Sequence, residues 1–134
     1  MGNGFQGKIK SSQFANYSYI FIIYMHVHLI KEKTIADFIN KHSIAKSSFK
    51  QWLNVIKYPD WVNPANIIEA FGSADLLGNG CERVVFNIGS NKYRLVTKYN
   101  FVKTQVHLTI CWIWVNAEYI KLCKANKQYD VRMY

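Results

Sequence analysis

Acidic residues are scarce in this chain of 134 residues: 8 Asp and Glu stand against 17 Lys and Arg, for a formal net charge of +9. The imbalance favours a polyanionic partner, whether nucleic acid, an acidic protein or an anionic membrane surface, and nucleic acid ranks ahead of a merely soluble basic surface. Cysteine is also sparse. Cys81, Cys111 and Cys123 form an odd set without a C-x-x-C pair. That argues against a disulfide framework and against a structural zinc site, and for a reducing compartment such as the cytoplasm. There is no internal repeat and no low-complexity run. Gly78-Asn79-Gly80 lacks the following Lys-Ser/Thr of a phosphate loop. The apolar run Tyr17 to Tyr24 is too short and too polar to span a membrane, and no small-x-small cleavage site follows it.

What is present is enough for one core. Half the residues are hydrophobic, and the length suits one domain. Met25 opens an alternating strand through Ile30. Residues 1–24 therefore have three readings: a start codon placed too far upstream, a disordered extension, or an extra strand. The first is preferred. It makes 1–24 an amino-terminal extension outside the native domain and 25–134 the working domain.

Helices follow from apolar spacing. Thr34 can cap a helix carrying Ile35, Phe38 and Ile39. Ser47 or Ser48 can cap a second, with Phe49, Trp52, Leu53 and Ile56 on one stripe. Pro64 suits the first turn of a third, ending at Phe71 before Gly72. Three strands come next: Arg83 to Ile88, Lys92 to Tyr99, and Thr104 to Trp112 or Ile113. Gly-Ser-Asn joins the first two as a hairpin. Asn116 can cap a last helix, Ala117 to Lys124. The tail from Ala125 is a final extended segment or disordered. The expected fold class is α+β, with helices over one face of an antiparallel sheet and the other face open.

Alternation assigns the faces. Tyr93, Leu95, Thr97 and Tyr99 share the apolar face, with Val106, Leu108, Ile110 and Trp112. The open face gathers Arg83, Lys92, Arg94, Lys98 and His107. A single bulge would flip part of this set. Such a face suits phosphate chemistry, because Arg offers a planar donor fork and Lys a compact charge. RNA is cleaved without metal when its own 2′-hydroxyl attacks the adjacent phosphate. That needs a base, an acid, and cations on the developing charge. His107, Tyr93, Tyr99 and Tyr119 are the candidate proton-transfer groups. On composition alone, plain binding of acidic protein or nucleic acid outweighs catalysis. His26 and His28 alternate on one side of the first strand and lack a third metal ligand at sensible spacing, so they read as ordinary strand histidines. Cys111 reads as a packing residue. Trp112 and Trp114 could stack bases, though core packing is the simpler role. Lys121, Lys124 and Lys127 read as a solvated helix face.

An ordered set of motifs carries a family resemblance: Met25-His26-Val27, Trp61-x-Asn63-Pro64-Ala65, Phe71-x-Ser73-Ala74-Asp75, Gly78-Asn79, the run Arg83 to Val96, and Ala117-Glu118-Tyr119. The chain resembles the HigB-type toxins of bacterial toxin–antitoxin pairs. The resemblance implies a RelE/ParE-like fold, with a small antiparallel sheet packed on an amino-terminal helical pair and a carboxy-terminal helix. It implies a ribosome-associated endoribonuclease that cuts mRNA without a cofactor or metal, paired with a helix-turn-helix antitoxin and with no membrane partner. Carried over from the family, Arg94 and Tyr119 are catalytic and Lys92 beside Arg94 binds RNA. The open sheet face adds His107 as an in-strand catalytic substitute and Lys98 and Arg83 as RNA-binding cations, and Asn116, in the histidine's place, is expected to bind RNA by hydrogen bonding.

Two departures stand out. The family's carboxy-terminal motif is typically Gly-Thr-His-Ala-Glu-Tyr-Asp; here Trp114 to Ile120 puts Asn116 where the histidine stands and Ile120 where the aspartate stands. Cys111 occupies a position where many members have arginine. Asparagine donates a hydrogen bond but moves no proton near neutral pH. Two function classes follow: a ribonuclease toxin, and a toxin-fold protein that binds RNA, ribosome or antitoxin without cleaving. A gyrase-directed toxin of the same fold is a distant third.

Overall fold

Alternating apolar residues, read against the backbone ladders, organise the chain around one five-stranded sheet. The computed structural model describes residues 26–57 and 59–134; the extension 1–24 lies outside the described residues. In chain order the elements are β1 (His26–Ile30), α1 (Lys33–Lys41), a 3-10 turn (Ser43–Ala45), α2 (Lys46–Val55), α3 (Pro64–Phe71), β2 (Asp75–Leu76), β3 (Arg83–Ile88), β4 (Tyr93–Phe101), β5 (Gln105–Val115) and α4 (Asn116–Lys124). The sheet order is β1-β5-β4-β3-β2. β2 to β5 form an antiparallel meander, and β1 pairs with β5 in parallel. The sheet is thus mixed, not antiparallel as expected. The meander returns the chain to β1 running in β1's own direction, and side-chain alternation carries no information on strand direction.

The main core lies on one face. Ile35 and Phe38 of α1, Phe49 and Trp52 of α2 and Ile67 of α3 are buried with Phe86, Leu95, Leu108 and Ile113 of the sheet. Their i, i+3, i+4 spacing is what turns each helix's apolar stripe onto the strands. Trp52 meets Phe86 edge-on at 5.2 Å, and Phe71 meets the same ring at 4.7 Å, geometries that aromatic quadrupoles favour. α3 starts at Pro64 because Asn63 and Asn66 form a reciprocal cap, Asn66 N donating to Asn63 Oδ1 at 3.3 Å and Asn63 N to Asn66 Oδ1 at 3.2 Å. The other expected caps do not form. Thr34 Oγ1 instead donates to Lys31 O at 2.6 Å. α2 is entered through the 3-10 turn. α4 follows β5 directly, with Asn116 as its first residue rather than its cap.

The opposite face departs from expectation in one decisive place. Val96 pairs with Trp112 but Thr97 pairs with Ile110, so Cys111 is an extra residue in β5. This bulge moves Trp112 off the helix-facing set. Trp112, Cys111, Val85 and Val96 form a second buried cluster, which Tyr119 and Leu122 of α4 and Val131 of the tail cover. The face is therefore closed at its middle, not open. The tail is folded back. Asn126, at φ +56, ends α4 with Asn126 N donating to Cys123 O at 3.0 Å and Lys127 N to Leu122 O at 2.9 Å, the Schellman pattern. Further on, Met133 N donates to the bulge carbonyl, Cys111 O, at 2.7 Å.

Candidate nucleic-acid interface

Arg94 sits on β4 opposite Asn87 and Trp114. Its Nη1 donates to Tyr93 O at 3.1 Å and its Nη2 to Asn91 Oδ1 at 3.2 Å. These bonds use two of the five guanidinium N–H donors, which leaves three for a phosphate. Lys92 lies in the hairpin turn just before β4 rather than in the strand, and it is exposed. Its carbonyl accepts from Asn116 N at 3.0 Å, so the turn is tied to the first residue of α4. Gly89 lets that turn form: it has φ +65, and a Cβ there would sit 3.1 Å from Ser48 Oγ. One helical turn into α4, Tyr119 packs on Trp112 with ring centroids 6.0 Å apart. Burial, followed by a hydrogen bond with Cys123 and the charges of Cys123 and Asp75, pushes the Tyr119 phenol well above its ordinary pKa; Arg94 pulls the other way and is outweighed. Arg94 and Tyr119 thus share one electrostatic neighbourhood. Lys92, Arg94, Asn116 and Tyr119 gather where the β3–β4 hairpin meets α4.

The other candidates are elsewhere. Arg83 is only 3% exposed. Its Nη1 donates to Val131 O at 2.8 Å and Gln128 O at 3.3 Å, so the tail takes this guanidinium out of solvent. Lys98 is exposed and pairs with Arg83 and Thr109. It is four residues along β4 from Arg94, about 13 Å at the strand rise of ~3.3 Å per residue. His107 pairs with Asn100, six residues from Arg94, or about 20 Å by the same rise. There it contacts Gln105 Oε1 through Nε2 at 2.9 Å and meets the His28 ring edge-on at 5.3 Å. Tyr93 and Tyr99 pack against the main core on the helix side. No group of three His, Cys, Asp or Glu that could hold a metal ion occurs among the described residues.

The model of one protein family matches residues 45–122: HigB toxin, the RelE-like toxic component of a toxin–antitoxin system. The match covers more than half of the chain. This chain belongs to the HigB toxin family. No curated protein matches it.

The HigB match runs from the end of the 3-10 turn through most of α4, so it includes Lys92, Arg94, Asn116 and Tyr119. Membership implies an antitoxin partner. No helix among the described residues is long and apolar enough to cross a membrane. Several neighbours of the site escaped sequence reading. Cys123 lies at i+4 from Tyr119, a spacing that helical periodicity would have flagged. Asn91 as the acceptor for Arg94 depends on the turn's shape. Arg83 reaches acceptors 45 and 48 residues away, for which no local signal exists.

Proposed function

We propose that this HigB-family chain is a cytoplasmic endoribonuclease toxin that cuts mRNA at the ribosome and is restrained by a helix-turn-helix antitoxin. The observation that carries this reading is the shared electrostatic neighbourhood of Tyr119 and Arg94, which has three N–H donors to spare, where the Lys92 turn is bonded to Asn116 at the start of α4. In the proposed reaction the RNA 2′-hydroxyl loses its proton to a solvent water and attacks the adjacent phosphorus, the bond from phosphorus to the 5′-oxygen breaks, and a 2′,3′-cyclic phosphate forms. Arg94 and Lys92 stabilise the charge on the phosphorane. Tyr119 keeps its proton at neutral pH and gives it to the departing 5′-oxygen. Lys98, further along β4, contacts the flanking strand.

One observation favours a second reading. Asn116 cannot take the proton of the 2′-hydroxyl, and His107 is about 20 Å away along the sheet. A toxin-fold protein that binds RNA, the ribosome or the antitoxin without cleaving is therefore the alternative. Expression without antitoxin separates the two. An active toxin arrests growth and yields mRNA cut inside coding regions, and Arg94→Ala lowers that cleavage about 10²–10³-fold. Absence of cut mRNA, together with RNA binding whose log–log salt slope falls by about 0.7 in Arg94→Ala, gives the second reading.

A further inference from the structure

Beside α4, a groove of about 410 Å³ opens between the helix, β5 and the tail. Its volume is within the ~300–1,000 Å³ range of small-ligand sites. Trp112, Trp114 and Met133 give it apolar walls; Glu118, Lys121 and Lys127 bring charge. Trp114 is braced from the helix side by His42 at 5.0 Å and Phe38 at 6.1 Å between ring centroids, so its ring is held before any ligand arrives. Glu118 accepts from Lys121 Nζ at 3.1 Å, and its side chain is 40% exposed.

We propose that this groove holds an unpaired nucleobase bearing an exocyclic amine, next to the phosphate taken by Arg94. The proposal rests on the RNA reading above. Trp114 and Arg94 are register partners on β5 and β4, so their Cα atoms are within about 5.5 Å. A nucleotide bound at Arg94 therefore has the groove within one residue's reach, around the first turn of α4. The indole supplies a stacking face, which every base can use. Glu118 supplies selectivity: its carboxylate accepts from an exocyclic amine, whereas the O4 of uracil is an acceptor and is repelled. Lys121 and Lys127 meet the flanking phosphates. An acidic peptide is the less suitable occupant, because Glu118 stands in the groove itself.

The test uses the full chain with fluorescently labelled single-stranded cytidine and uridine hexamers, which differ at the amine. Affinity is read by anisotropy and stacking by quenching of tryptophan emission. The cytidine hexamer binds at least about fivefold tighter than the uridine hexamer and quenches emission. Glu118→Gln, which can face either base, brings the ratio close to one and leaves the thermal midpoint in place. Lys127→Ala weakens both hexamers and flattens the salt slope by about 0.7. Arg94→Ala weakens both without changing their ratio. A ratio that Glu118→Gln does not move, or binding without quenching, overturns the groove assignment while the Arg94 effect keeps the RNA reading. Failure of both hexamers to bind overturns both.

Discussion

Replacing Asn116 by histidine is the most discriminating perturbation of this site. The backbone of Asn116 is fixed, its N–H donating to Lys92 O at 3.0 Å, so the new side chain starts from the same point beside Arg94. Helix propensities of Asn and His are close. Asn116 is half-buried, and the stability change is within about 1 kcal/mol. The rate change is much larger. A positioned general acid–base group contributes about 10²–10⁴-fold, which is ~2.7–5.5 kcal/mol at 1.36 kcal/mol per decade. Only a group within hydrogen-bond reach of the reacting oxygen earns this factor, and at about 20 Å from Arg94 along β4 His107 does not. Single-turnover cleavage of mRNA on ribosomes, followed across pH, measures the effect. Asn116→His speeds cleavage and introduces a bend near the ordinary imidazole pKa of about 6.5. The natural chain lacks that bend, since Asn116 does not titrate and Tyr119 keeps its proton far above neutrality. His107→Ala leaves the rate unchanged. Fast cleavage by the natural chain with no gain from Asn116→His refutes the account of the missing proton acceptor, and a loss on His107→Ala refutes the placement of the site.

Arg83→Ala removes two charge-assisted hydrogen bonds to tail carbonyls. At ~1.5–3 kcal/mol each, the loss is about 3 kcal/mol or more, and the thermal midpoint falls by roughly 10–20 °C; trypsin cuts after Lys127 and Arg132 sooner, and an unchanged midpoint with a protected tail contradicts the clamp. Burial raises the pKa of Tyr119 and also of Tyr99 and Tyr134 in the folded chain, while unfolded tyrosines ionise near 10. Above that pH the unfolded state binds fewer protons than the folded one, so stability is full below about pH 10 and falls as pH rises further; midpoints measured at about pH 8 and about pH 11 check this, and Tyr119→Phe reduces the difference.

Turn and cap chemistry made some elements legible. β3 runs from Arg83 to Ile88 and α3 from Pro64 to Phe71, both as the sequence predicts, because Gly89 and Ser90 turn the chain at positive φ after β3, and the Asn63 side-chain cap with Pro64 starts α3. Period-two alternation also placed Arg94 and His107 on one face. It could not say that they stand at opposite ends of it, because alternation gives a face and not a position. Nor could it find the bulge at Cys111, which lies in a run of apolar residues that fit either face. The tail was illegible for another reason: its fixing points, Arg83 and Cys111, come from strands far away in the sequence.

That one inserted residue accounts for most of the site's architecture. Bulges twist a strand and re-aim its side chains, and they recur beside functional sites. Here the bulge turns Trp112 toward α4, which gives Tyr119 a ring to pack on and the groove its inner wall. It also leaves the Cys111 carbonyl outside the regular ladder, where Met133 N takes it up and draws the tail across the sheet edge. Cys111 itself is 2% exposed beneath this cover, at the position where the toxins it resembles often carry arginine. A guanidinium there would start from a buried site packed against Val85 and Val96, with desolvation to overcome before it met a phosphate. In the proposed reaction, the positive charge on the phosphorane comes from the hairpin side, through Lys92 and Arg94. That is why Arg94→Ala is expected to remove so much activity: it takes away the guanidinium whose charge reaches Tyr119.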